Sequence, residues 1–239
     1  MRLNNDRATI DVRIDGESQR AIVLLAGFPL AREVWDEQVP ALASTHRVIR
    51  PDLRGVGASS VPPGPYLMET LAGDIAAVLD ALSIERVTLV GHSLGGYVAL
   101  AFARMYAERI ERLVLVCSRL AADTLSQARY RCELADRAEA SDSSAEIVET
   151  MLPRLLAPQT LRDRPDVVER VRALASAHNP RGLAALLRGM ALRDAANDIA
   201  PDLSMPVLVI AGSEDASLSL DDARSGRGLP RRAASYFRE

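Results

Sequence analysis

Val87-Thr88-Leu89-Val90-Gly91-His92-Ser93-Leu94-Gly95-Gly96 is the stretch that decides the fold. An apolar run of strand-forming residues ends at Gly91, and a helix of small apolar residues follows Gly95. This order is typical of a sharp strand–turn–helix in which Gly91-x-Ser93-x-Gly95 exposes Ser93 as a nucleophile. The glycines fit because the turn brings backbone segments close together. An ordinary strand–helix turn with an unreactive serine is the alternative.

The rest of the chain alternates short strands with helices, which is the pattern of a parallel sheet. Two of the strands, at 22–25 and 207–210, are continuous apolar runs, as expected when helices cover both faces of a sheet. The predicted strands are Ala8–Ile14, Ala21–Ala26, Arg47–Pro51, Arg86–Val90, Ile110–Cys117 and Pro206–Ala211.

Residues 119–204 interrupt this alternation and contain only helical patterns, at about 121–139, 145–157, 165–177 and 180–192. Ser143-x-x-Glu146 is typical of a capping box, and Pro165 and Pro180 fit first helical positions. We interpret the segment as a helical lid over the carboxyl ends of the strands; two further strand–helix units are the alternative. The predicted organisation is a core at 1–118, a lid at 119–204, a second core segment at 205–223 and an arginine-rich tail at 224–239.

The composition excludes several classes of function. A net charge of −3 favours neither nucleic acid nor an anionic membrane as a partner. No apolar stretch is long enough to span a membrane, and residues 1–6 do not resemble a signal peptide. Cys117 and Cys132 have no metal-binding or redox spacing, so we expect reduced thiols in a cytoplasmic protein. With no metal constellation and no phosphate loop, we expect no cofactor and no metal.

The chain resembles the α/β-hydrolase superfamily, in particular small lidded esterases and lactonases such as the enol-lactone hydrolases. Beside the Ser93 turn, the resemblance depends on the motifs at 26–29, 51–59 and 212–215, and it covers about residues 8–222. It implies an α/β fold with a mostly parallel sheet flanked by helices and an all-helical lid insertion.

The resemblance also implies roles for individual residues. Ser93 would be the nucleophile, and the backbone N–H groups of Phe28 and Leu94 would form the oxyanion hole. Asp215 matches the acid that orients a catalytic histidine; Glu214 is the fallback, and a turn aspartate that caps a helix is the alternative for Asp215. Most relatives have histidine where this chain has Ala26, a departure expected to affect loop packing more than the hole.

The loop 52–59 is usually structural in the family. Its Ser59, together with the following Ser60, is expected to serve the turn and not to act as a nucleophile.

A histidine base for Ser93 is missing from the position that the family predicts, since no histidine follows His178. His92 adjoins Ser93 in the turn, so its side chain should point away and pack. His46 precedes a strand at the opposite end of the sheet and should be exposed. His178 ends a lid helix, where helix capping explains it; the alternative is that it hangs over the site, which only this histidine could do. Without a base, a serine hydroxyl is a weak nucleophile.

The tail differs from the rest of the chain. All 29 basic residues of the protein are arginine, and five of them lie in residues 224–239. Ala233–Phe237 is a weak strand candidate, and a solvated basic tail is the alternative interpretation. We hypothesise that this tail is a frameshift product of a GC-rich gene and that the last strand and helix of the fold are missing. An uncovered sheet edge would then favour self-association.

The sequence therefore predicts a hydrolase of a small carboxylic ester, lactone or related acyl compound that acts through a Ser93 acyl-enzyme, impaired here by the absent base. The alternatives are a catalytically inactive binding protein, a truncated or frameshifted product, and a cofactor-free perhydrolase or lyase. A haloalkane dehalogenase is disfavoured because it would need aspartate in place of Ser93.

Overall fold

A computed structural model describes residues 1–215 in full and the strand at 234–238 by its backbone. The sheet has eight strands among these residues. They are β1 (Arg2–Asn5), β2 (Ala8–Asp15), β3 (Ala21–Leu25), β4 (Arg47–Pro51), β5 (Val87–His92), β6 (Ile110–Val116), β7 (Val207–Gly212) and β8 (Ala234–Arg238).

The strand order is β1-β2-β4-β3-β5-β6-β7-β8, and β2 runs antiparallel to both of its neighbours while the other pairs are parallel. The mostly parallel sheet predicted from the sequence is confirmed. β5 lies near the middle, so the turn that follows it opens at the centre of the carboxyl edge. Parallel sheets gather ligand sites at this edge.

The described helices are α1 (Val39–Ala43), α2 (Met68–Ala81), α3 (Leu94–Tyr106), α4 (Leu125–Ser141), α5 (Ala145–Leu155), α6 (Pro158–Asp163), α7 (Pro165–Ser176) and α8 (Pro180–Ala191). Pro165 and Pro180 start their helices as predicted. The capping box predicted at Ser143–Glu146 is wrong: Ser144 caps α5 without a side-chain bond. The capping box belongs to α4, where Thr124 and Gln127 bond reciprocally.

Alternating side chains of β3 supply the cores on the two faces of the sheet. Val23 and Leu25 belong to the large core that contains the apolar faces of α2 and α3. Ile22 and Leu24 belong to a smaller core on the other face, which Leu42 of α1 partly covers. All four side chains are buried, which explains why this strand is apolar without interruption.

Helices α4 to α8 fill the segment between β6 and β7, and every residue of that segment is described. α8 packs along α4, and α5 packs on both α4 and α7. A separate apolar cluster joins Val148, Leu152 and Ala175 of these helices to Leu30 in the loop after β3. The insertion is therefore anchored beside the loop that carries Phe28.

The expectation that the last strand is missing is wrong. Residues 234–238 form β8 and pair in parallel with β7, in the register Leu208 to Ala234 through Gly212 to Arg238. The strand overlaps the weak strand candidate at Ala233–Phe237, in which Tyr236 and Phe237 are good strand formers. The rest of the tail and residues 216–223 of the second core segment lie outside the described residues. The expectation that the last helix is missing also falls outside them. The frameshift hypothesis stays a prediction.

β8 is thus the outer strand on this side of the described sheet. Self-association through an uncovered edge stays a prediction, and it now concerns β8 instead of β7. Among the described helices, none is long and apolar enough to cross a membrane.

Candidate active site

Ser93 occupies a strained turn between β5 and α3. Its φ of 49° and ψ of −111° are uncommon for a residue with a side chain. Its N–H donates to the Val116 carbonyl at 2.8 Å, and its own carbonyl accepts from Gly96 N at 2.9 Å and from Ser118 Oγ at 3.0 Å. The neighbouring strand and helix therefore fix the strained backbone.

The two glycines of the turn are required by close backbone packing. A Cβ on Gly91 would lie closer than 3.0 Å to backbone atoms of Gly95, and a Cβ on Gly95 would collide with the backbone of Leu25. Real Cβ atoms essentially never approach that closely. The turn thus has the close backbone packing that the Gly-x-Ser-x-Gly motif predicts.

A cavity of about 530 Å³ opens above Ser93, between the carboxyl edge of the sheet and helices α4, α5 and α8. Its wall includes both apolar and basic side chains. The lining residues are Phe28, Ser93, Tyr97, Arg119, Ser126, Gln127, Tyr130, Arg131, Leu134, Thr150, Met151, Arg154, Leu187 and Met190. Of these, the sequence motifs indicate only Ser93 and Phe28. The others could not be found because the insertion brings them there from distant parts of the chain.

Of the two predicted oxyanion donors, Phe28 belongs to the wall of this cavity, and Leu94 directly follows Ser93 in the chain. Phe28 follows β3 and is 2% exposed while lining the cavity. Leu94 is the first residue of α3, and first-turn N–H groups have no partner within their own helix. Both positions suit an oxyanion hole, which stays a prediction.

Asp215 lies just after β7 and lines a second cavity, of about 340 Å³, together with Ser93 and His92. Burial and the negative charge of Asp215 raise the pKa of the neighbouring Cys117 thiol to about 11. Cys117 is therefore a neutral thiol beside the carboxylate. Glu214, the fallback acid, lines the same cavity but is exposed.

His92 packs instead of contacting the serine hydroxyl. Its ring meets Trp35 edge-on, with centroids 6.4 Å apart, and lies against Gly27, which has no room for a Cβ. Burial lowers the pKa of His92, against the opposing effect of the Asp215 charge. The predicted packing role is confirmed.

The other two histidines also lie away from the serine hydroxyl. His46 precedes β4 and shares a 2.9 Å hydrogen bond with Thr45; it is half-buried, whereas exposure was expected. His178 does not cap a helix, since Asn179 caps α8. Its Nδ1 instead accepts a hydrogen bond from Gly57 N–H at 3.1 Å, which joins the insertion to the loop after β4. Among the described residues, Ser93 Oγ has no hydrogen-bond partner.

The buried contact between His178 and Gly57 makes a pH-dependent contribution to stability. Burial lowers the pKa of His178 from 6.5, against the opposing charge of Glu33. Between the folded and unfolded pKa values only the unfolded chain binds the proton, so the contribution is complete above about pH 6.5 and is lost as the pH falls below it. We expect His178→Gln to reduce the loss of unfolding free energy between about pH 7.5 and pH 5.5 by ~1 kcal/mol.

Urea unfolding at the two pH values measures this. His92 should keep part of the slope in the variant, because burial lowers its pKa in the same direction. An unchanged slope in His178→Gln would show that this histidine is not held neutral.

The serines after β4 serve the loop, as predicted. Ser59 Oγ donates to the Asp52 carbonyl at 2.7 Å and accepts from Asp11 N at 2.9 Å, and Ser60 Oγ accepts from Thr9 N. The carboxylate of Asp52 accepts from Ala58 N–H at 2.9 Å. Among residues 1–215 and 234–238, no cluster of three or more acidic, histidine or cysteine side chains could hold a metal ion.

Comparison with known proteins agrees with this architecture. The profile of the alpha/beta hydrolase fold matches residues 20–237. The chain is 28% identical to 3-oxoadipate enol-lactonase 2 of Acinetobacter baylyi over 191 residues, which span 80% of this chain and 70% of that protein.

Two solved structures superpose closely. One is a thermophilic esterase from Thermogutta terrifontis, solved with malate bound, at 35% identity and a TM-score of 0.92, covering 97% of this chain and 85% of that one. The other is the enol-lactonase from Burkholderia xenovorans, at 28% identity and a TM-score of 0.91, covering 100% and 91%. Since the profile spans nearly the whole chain, the protein belongs to the α/β-hydrolase fold family.

Proposed function

We propose that this protein is a serine hydrolase of a small carboxylic ester, lactone or related acyl compound, with Ser93 as the nucleophile. The observation that carries the proposal is the position of Ser93 in a strained turn where two cavities meet. The esterase and the enol-lactonases to which the chain is similar support an ester or lactone as substrate.

The proposed reaction has two steps, acylation of Ser93 and hydrolysis of the acyl-enzyme. Ser93 Oγ attacks the acyl carbon, and the carbonyl oxygen gains negative charge next to the N–H groups of Phe28 and Leu94. The leaving oxygen takes up the proton that Ser93 Oγ loses and departs as an alcohol, and an acyl-enzyme remains. Water then hydrolyses the acyl-enzyme to a carboxylic acid and returns the proton to Ser93. Asp215 would orient a base bound in the second cavity, and the fact that it and Ser93 line that cavity together supports this role.

The rate of attack by Ser93 depends on a base that removes the proton from its hydroxyl. None of the three histidines of this sequence hydrogen-bonds to Ser93 Oγ. When a triad member is absent, serine proteases keep about 10³–10⁴-fold catalysis over water from the oxyanion hole and from binding. We therefore expect the 239-residue chain to bind its substrate and to turn it over slowly.

A binding protein that keeps the cavity without catalysis is the second candidate. The unpartnered hydroxyl of Ser93 among the described residues favours it, because an ordinary serine alcohol reacts slowly.

A fluorophosphonate probe separates the two candidates, since it modifies activated serines. We expect labelling that is lost in Ser93→Ala and kept in Ser126→Ala, which removes another hydroxyl from the same cavity wall. Intact-mass spectrometry measures the added group, and circular dichroism verifies the fold of both variants. A folded protein that takes up no probe would favour the binding protein, and labelling that persists in Ser93→Ala would contradict the assignment of the nucleophile.

A further inference from the structure

The large cavity above Ser93 has a basic wall in an acidic protein. Arg119 comes from the loop after β6, Arg131 from α4 and Arg154 from α5. No acidic side chain is among the described residues that line this cavity. The chain as a whole has a net charge of −3, so the positive charge is concentrated here against the overall balance.

One buried carboxylate holds part of this charge in place. The side chain of Asp123 has no exposed surface and accepts from Arg119, from Arg131 Nε and from Arg193 Nη1, the last at 2.8 Å. Arg193 is itself buried, with its guanidinium 3.9 Å from the centre of the Tyr97 ring. Burial opposes ionisation of Asp123, but the hydrogen bonds from Arg131 and Arg193 hold its pKa below the ordinary value. Asp123 thus positions Arg119 and Arg131 at the wall. Because three arginines share this one carboxylate, their combined charge stays positive.

Arg154 adds a charge that no described residue balances. It lies 5.8 Å from the centre of the Tyr130 ring, and no hydrogen bond or ion pair joins it to another described residue. Arg154 and Met151 line both cavities that meet at Ser93. The arginine cluster, which we define as Arg119, Arg131, Arg154 and Arg193 with Asp123, therefore has four guanidinium groups and one carboxylate, a net charge of +3.

The donors that remain available favour an anion. Beside the arginines, Ser126, Gln127 and Thr150 add polar atoms to the wall. The rest of the wall is apolar, from Phe28 beside Ser93 to Leu187 and Met190 on α8. A ligand with a short apolar chain and a negatively charged group at one end matches both the apolar and the basic part of the wall.

We propose that the substrate carries a carboxylate besides its reacting acyl group, and that Arg119, Arg131 and Arg154 bind this carboxylate. The proposal depends on the function proposed above, and it replaces a neutral ester with an anionic half-ester or lactone acid. Planar guanidinium groups bind carboxylates through paired, charge-assisted hydrogen bonds, which are stronger than neutral ones.

Two matched esters test this. One is the mono-p-nitrophenyl ester of glutaric acid; the other is the p-nitrophenyl ester in which an isopropyl group replaces the carboxylate. We expect kcat/KM for the anionic ester to exceed that for the neutral one by about tenfold or more, and salt to reduce this ratio. Equal values, or a preference for the neutral ester, would overturn the proposal.

Arg154→Gln should lower the ratio by about tenfold, and Arg129→Gln should leave it unchanged. Arg129 is the matched control because it is an exposed arginine on α4 that does not line the cavity. Since Arg154 bonds to no described residue, its replacement should not unfold the protein.

A binding measurement tests the carboxylate site separately from the proposed hydrolysis. If neither ester is hydrolysed, the proposed function fails, and calorimetric titration with glutarate and its neutral diamide still tests the carboxylate site. Glutarate that binds more tightly than the diamide, and more weakly in Arg154→Gln, would support the site. Equal or absent binding of the two would refute it.

Discussion

Added imidazole is expected to accelerate ester hydrolysis by the 239-residue chain by about 10–100-fold, and only when Ser93 and Asp215 are both intact. The reason is the cavity of about 340 Å³ that Ser93 and Asp215 line together. No histidine of this sequence hydrogen-bonds to Ser93 Oγ. A free imidazole in that cavity can accept the serine proton while Asp215 orients its other nitrogen. General bases contribute about 10²–10⁴-fold to rates, and an untethered one should recover part of this.

The measurement is the initial rate against imidazole concentration, with rates that saturate as the cavity fills. Imidazole also cleaves activated esters in solution, so Ser93→Ala, measured in parallel, gives the background to subtract. Asp215→Asn should lose most of the acceleration, and Glu214→Gln, a matched change in the same cavity, should keep it. A loss in Glu214→Gln instead would make Glu214 the orienting acid. Acceleration of equal size in Ser93→Ala would contradict the assignment of the nucleophile.

The sequence predicts those parts of the fold that local patterns determine. Strand β4 (Arg47–Pro51) is predicted to the residue, and five other strands differ from their predicted ends by at most two residues. β1 (Arg2–Asn5) was not predicted because it is a short, largely polar strand at the sheet edge, where no side chain must be apolar. α6 (Pro158–Asp163) was not predicted either, since it has six residues and no buried side chain to give it a periodic pattern.

The candidate site divides in the same way. The position of Ser93 could be predicted because its strained turn requires glycines at fixed neighbouring positions, which is a local demand. Arg119 and Arg154 could not be predicted as neighbours in one wall, since the whole of α4 and most of α5 lie between them along the chain. Only the packing of the insertion on the sheet brings them over Ser93. A partial signal exists in the sequence, because Asp123 lies in a stretch with arginines at 119, 129 and 131.

The packing that forms this cavity leads to a prediction about stability with a built-in control. Gly189 lies in α8, where a Cβ would collide with the backbone carbonyl of Tyr66. The same segment is bonded to α8 by Tyr66 N–H, which donates to the Ala185 carbonyl at 3.1 Å. Backbone on both sides cannot move aside as a flexible side chain could. We expect Gly189→Ala to lower the free energy of unfolding by ~3 kcal/mol, since overpacking of this kind outweighs the gain in helix propensity.

Gly73→Ala should have the opposite sign. Gly73 is also helical, in α2, but a Cβ there would meet no atom within 4 Å. Only helix propensity then acts, and alanine should stabilise the protein by ~0.5–1 kcal/mol. Urea unfolding followed by circular dichroism gives both values, provided that the slope with denaturant is unchanged.

If Gly189→Ala does not accumulate as folded protein, a measurement of yield replaces its unfolding curve. The soluble yield at low temperature is then compared with that of Gly73→Ala, and we expect a lower yield for Gly189→Ala. α8 supplies Leu187 and Met190 to the cavity, so Gly189→Ala should also reduce ester hydrolysis by any fraction that folds, whereas Gly73→Ala should not. Equal stabilisation by both alanines would mean that α8 does not lie against Tyr66, and the cavity above Ser93 would then lack one of its walls.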